Sequence, residues 1–458
     1  MSTYDELLGT VARMADAAIE WDMELLDWHK TANGWVSGFN VSPTTTYELD
    51  ATGMYVYDRN NDETFHANEF ALTSRIDFRG LWRSWYERMN DAFRPFLGMP
   101  EPGDFTPQIT ALQEAAGALN VATVATGTGA RTDDEIETGN GHLDAALTSL
   151  VGEIVAMNGA AMDLFAINYS NRLPGVVRGQ LAMVGLLGSC LSGEKNLWEK
   201  AQIDVAGIAD DVMSVLEAKD SGGSSRGLQI LGAVLAGASL FFTAGTSAAV
   251  IGASRTVLGI LQTVAPAEQA PPPAADTFGG SSPGEVFGKL TAFLAEFDQA
   301  LYAEEEVVQR SLDNGLAEVR SHAGDFDLAT LPALVSLDDD AVLAAGDIDV
   351  KPETLVFLGT AVIPVIAGEI RGARNGVSRS GGFDAWSRSG SVGMAPYGGY
   401  GQFDDLRDEF VLLAGGTARA LDDVAQKLID VAAQFVDVDA IQQQNYDAFQ
   451  QLLQPQTV

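Results

Sequence analysis

The side chains best suited to chemistry are few in this chain and lie far apart. There is one cysteine, Cys190, and there are four histidines, His29, His66, His142 and His322. A lone cysteine cannot close an internal disulfide, and the setting Gly-Leu-Leu-Gly-Ser-Cys-Leu marks Cys190 as a small apolar core residue. No two histidines have the short spacing of a metal-binding pair. The acidic runs Glu304-Glu305-Glu306, Asp133-Asp134-Glu135 and Asp338-Asp339-Asp340 read as solvated faces and loops. A calcium loop needs alternating acids, a glycine and a later glutamate, and Asp347-Ile348-Asp349 is too short for one. Gly127-Thr128-Gly129 does not follow a strand, so it does not form a phosphate cradle. No nucleophile elbow, paired-histidine zinc helix or paired-cysteine motif occurs. These residues predict no enzyme, no cofactor and no metal.

The composition narrows the partners. Lys and Arg number 27 against 63 Asp and Glu, for a formal net charge of -36. Phosphate recognition needs clustered cations, so nucleic acid is excluded, and anionic lipid heads are disfavoured as the main partner. The opening Met-Ser-Thr-Tyr-Asp-Glu has neither a basic stretch nor an early apolar run. That predicts a protein without a Sec-type signal, secreted or displayed at the cell surface by another route, or else cytoplasmic.

Against this acidic background, no charge falls between Arg226 and Arg255. Residues 227–264 read as an apolar Gly/Ala-rich hairpin, with Gly232, Gly237, Phe241, Phe242, Gly245, Ala248, Gly252 and Gly259 as its marked positions. Small residues four and seven apart let helices approach closely. Such a hairpin is buried in the protein's own bundle, spans a membrane, or is stored and inserted later. The last option makes a helical pore-forming toxin component the alternative function, with a membrane as its partner.

The rest predicts a mainly α fold of long antiparallel helical hairpins with one small β-hairpin insertion at about 44–57. Apolar residues recur at three- and four-residue steps over 4–32, where Leu7, Val11, Met14, Ala18, Trp21, Leu25 and Trp28 share a face and Asn33-Gly34 ends the run. Further helices are predicted over 79–97, 108–120, 142–157, from there to about 219 with a kink at Pro174-Gly175, over 285–323, over 352–371 with Pro364 inside, and over 403–452. The expected organisation is an N-terminal region, 1–125; a helical hairpin with the apolar hairpin, 140–265; a Pro/Gly linker, 266–284; and a C-terminal region, 285–458, with a mobile Gly/Ser loop at 372–402.

Two motifs carry a resemblance. The helix break Met157-Asn158-Gly159 resembles the Trp-x-Gly turn of the WXG/ESX-type helical proteins of type VII secretion, in a long actinobacterial form, with Met157 standing where that family has Trp. Phe435 and Asp439 are similar to that family's export signal, an aromatic residue and an acid four positions later, with Phe in place of Tyr. What the resemblance implies is a secreted or envelope-associated protein that acts by helix-helix interaction. Its partners would be a helical protein or itself, and the type VII export machinery.

Overall fold

The computed structural model describes residues 3–37, 47–50, 54–59, 63–66, 77–121, 140–157, 160–219, 225–226, 276–329, 350–388 and 391–453, with side chains on the last helix described as far as Phe435. The fold is mainly α. Its axis is α6 (Leu173–Ala218), 46 residues long and about 70 Å at 1.5 Å per residue. Every residue from Gly179 to Glu194 is buried. A helix that is apolar all round belongs inside a bundle, and α6 is surrounded by α1 (Leu7–Leu25), α3 (Thr106–Leu119), α7 (Pro283–Ser321) and α10 (Tyr400–Leu453). The remaining helices are α2 (Phe78–Phe93), on α1; α4 (Gly141–Val155); the short α5 (Ala160–Phe165); α8 (Pro352–Phe357); and α9 (Ile363–Arg379), which packs on α3, α4 and α10. One cluster of buried side chains draws on all of the long helices.

The N-terminal expectation holds for the hairpin, formed by Tyr47–Asp50 against Tyr55–Asp58, and is corrected around it. The first helix stops at Leu25, and Trp28–Thr31 is a strand. The predicted hairpin is part of a five-stranded antiparallel meander in sequential order: β1 (Trp28–Thr31), β2 (Gly34–Ser37), β3 (Tyr47–Asp50), β4 (Tyr55–Asp58) and β5 (Glu63–His66). Asn33 and Gly34 end no helix; they turn β1 into β2, which pair with Trp28 opposite Ser37 and Thr31 opposite Gly34. Trp28 fits a helical period as well as a strand, and burial decides it, because its ring meets Phe78 edge-on at 5.0 Å.

Two prolines sit at helix junctions, each behind a widened turn. A π-turn over Ala166–Ser170 precedes α6, which Pro174 opens, so the expected mid-helix kink is a helix start. A second π-turn, Leu358–Val362, joins α8 to α9 just ahead of Pro364. Proline cannot donate to the carbonyl four residues back, and the wide turn accommodates that loss.

The loop expected at 372–402 is also corrected. Helix α9 runs on to Arg379, and the residues described between it and α10 form a packed strap. Trp386 is buried in it against Phe105 at 5.7 Å and Phe403 at 5.6 Å. Gln108 donates to the Gly382 carbonyl at 3.1 Å. Abundant Gly and Ser suggested mobility, but the aromatic residues among them are anchors.

Candidate docking face

The sequence-predicted residues are dispersed. Met157 is buried just beyond α4, its N–H donating to the Ile154 carbonyl at 3.1 Å. Asn158 and Gly159 lie outside the described residues, and α5 begins at Ala160. Helix α4 packs on α9, whereas α6 is clasped by α1, α3, α7 and α10, so the chains on either side of the break follow different neighbours. Phe435 is half-buried on α10, and the helical backbone continues through Asp439. The apolar hairpin, with Gly232, Gly237, Phe241, Phe242, Gly245, Ala248, Gly252 and Gly259, lies outside the described residues.

The acidic run Glu304-Glu305-Glu306, expected on a solvated face, is corrected: Glu304 and Glu305 are buried, and Glu305 belongs to an enclosed charge cluster. On α6, Glu194 accepts from the Trp198 indole N–H at 3.0 Å. On α7, the Glu305 carboxylate lies 2.5 Å from Arg388 Nη2 of the strap, with both side chains wholly enclosed. Glu305 also accepts from the Met394 N–H at 2.6 Å, Asp298 accepts from the Gly393 N–H at 2.7 Å, and the Arg388 guanidinium lies 4.7 Å from the Trp198 ring centre. Burial, and then the nearness of Glu305, push the Glu194 carboxyl up to about 8, against the pull of Arg388. Burial raises Glu305 too, outweighing the ion pair. One guanidinium thus serves two buried acids and rivets the strap to α6 and α7. All three side chains are sealed from solvent, as the members of an internal ion-pair cluster are. Among the described residues, no three His, Cys, Asp or Glu side chains converge as metal ligands would.

The exposed surface tells more. From Thr354 to Gly368, between Glu353 and Glu369, the α8–α9 segment carries no charge. One face, with Leu355, Leu358, Val362, Ile363, Ile366 and Ala367, is buried. The opposite face, with Val356, Phe357, Thr360, Ala361, Pro364, Val365 and Gly368, is open to solvent. The spacing of these exposed positions, in pairs four residues apart, makes one continuous stripe. Among the described residues, two helical segments are long and apolar enough to cross a membrane: Ala166–Ala218, whose apolar window is 89% buried, and Pro352–Arg379, whose window is only 44% buried. The first is the core helix. The second leaves apolar surface uncovered, and exposed apolar stripes of this kind mark contact surfaces.

One turn past Gly368 the character changes. Arg371 and Arg374 on α9 and Arg419 on α10 line an open groove of about 700 Å³, floored by Val411, Gly415 and Ala418 and edged by Leu412 and Asp408. Arg371 pairs with Asp422. Arg374 donates from Nε to the Val411 carbonyl at 3.2 Å, and Arg419 from Nε to the Gly415 carbonyl at 3.1 Å. No protein-family model, curated protein or solved structure matches the chain.

Proposed function

We propose that this is a non-enzymatic helical protein of type VII (ESX-type) secretion, exported or envelope-associated, that works by docking one of its helices on a helical partner. The observation that supports this reading is the uncharged stripe on α8–α9, held rigidly by its buried face and turned outward in a molecule of net charge -36. Ala361 and Gly368 within it are small enough to let a second helix lie close, and Phe357 and Val365 supply apolar anchors. Phe435 and Asp439, on one continuous helix, are assigned to the export signal.

The test places two charges on the stripe, Phe357→Asp with Val365→Asp. Both residues are exposed, at 46% and 39%, so stability should change by less than about 1 kcal/mol. In extracts of cells that naturally make the protein, wild type should elute as a complex larger than the monomer, and the double variant as monomer. Identical elution of the two, as monomer or as complex, refutes the docking role.

A further inference from the structure

The arginine groove lies one turn beyond the stripe on the same helix, and its chemistry constrains what docks there. Arg374 and Arg419 each spend Nε on a backbone carbonyl of α10 and turn the rest of the guanidinium to the groove; among the described residues neither has a carboxylate partner. Gly415 makes this possible, because a Cβ there would stand 3.2 Å from Arg374 Nε, in the way of the side chain that crosses α10. Asp408, the acid at the rim, is taken up by Arg407, which donates to it from Nη2 at 2.8 Å and from Nε at 3.2 Å. The groove is therefore cationic in a strongly acidic protein. Leu412, at its edge, is 62% exposed.

We propose that the groove seats an acidic amphipathic helix of another protein, with carboxylates on Arg374 and Arg419 and an apolar side chain on Leu412. The inference rests on the docking role proposed above and names the chemistry of the partner. Three features favour it. The planar guanidinium fork matches a carboxylate in bidentate fashion. The groove runs between two helices with a floor of small residues, the geometry of helix-in-groove recognition. A free small anion would need no exposed leucine, and an anionic membrane, being a broad surface, would meet the acidic exterior of a molecule of net charge -36 along with the arginines, whereas a single helix meets only the groove.

The experiment places a photo-crosslinking side chain at the rim, Leu412→benzoylphenylalanine, in the full chain produced in cells that naturally make it. Illumination followed by peptide mapping should locate the adduct in a segment of another protein with Asp or Glu three or four residues apart beside an apolar face. Arg374→Gln with Arg419→Gln should reduce the yield about tenfold or more, the equivalent of about 1.4 kcal/mol or more in binding. Adducts on lipid, on a second copy of this chain or on a segment without acids overturn the proposal, as does an unchanged yield in the arginine variant or no adduct at all. If the stripe variant still abolishes the complex while any of these outcomes holds, the docking role stands and the acidic-helix inference alone falls.

Discussion

At the scale of single residues, the buried trio of Glu194, Glu305 and Arg388 ties stability to pH. A carboxyl whose folded value lies above its unfolded one binds its proton more tightly in the native state. Its contribution is therefore full below about 4.5, is lost as pH rises, and is gone above about 8 for Glu194. Glu194→Gln keeps an acceptor for the Trp198 indole and never ionises. The variant and wild type should be about equally stable near pH 5, and the variant more stable by about 1 to 3 kcal/mol near pH 9, as measured by urea unfolding at each pH. A difference that does not grow with pH would show that Glu194 does not carry this titration. The trio was only faintly legible beforehand. Glu194 interrupts a long apolar run, and Trp198 follows at four residues, which is a visible signal on one helix face. Arg388 was hidden because it sits among glycines and serines, where composition argued for a loop.

At the scale of elements, helix contacts in this bundle are set by where side chains are missing. A Cβ at Gly376 would come within 2.9 Å of the Ala111 carbonyl oxygen and 2.9 Å of the Ala115 Cβ, so α9 and α3 meet almost backbone to backbone. Gly376→Val should push them apart and cost about 1 to 3 kcal/mol. Gly372, a turn away on the same helix, has no neighbour within 4 Å of the place a methyl group would occupy. Gly372→Ala should therefore be neutral or stabilising by about 0.5 to 1 kcal/mol. Thermal unfolding of the two variants checks the contrast, and equal effects would refute the close-approach account. Most long helices were legible, because their apolar residues recur at three and four: the expected 285–323 is Pro283–Ser321, and the expected 403–452 is Tyr400–Leu453. The meander was only partly legible. Its strands are four residues each, too short for alternation to outweigh a helical period that fits Trp21, Leu25 and Trp28 equally well.

At the scale of the whole molecule, export is the property to test. Phe435→Ala with Asp439→Ala should leave the far-ultraviolet circular dichroism unchanged and strongly reduce the protein recovered from the culture medium; undiminished release dismisses the assigned signal. The docking stripe and the arginine groove were not singled out from sequence, although the apolar character of 352–371 was evident, because only the packing of α9 on α10 decides which half of that helix stays uncovered. The strap has one more consequence, for the order of assembly. Arg388 pairs with an acid 83 positions before it and lies beside another 194 positions before it, so α6 and α7 emerge from the ribosome long before their cation does. Until it arrives, closing those two rods would enclose two carboxyl groups alone. The interior is thus completed late in synthesis, and fragments that stop short of residue 388 are poorly suited to reach the finished shape.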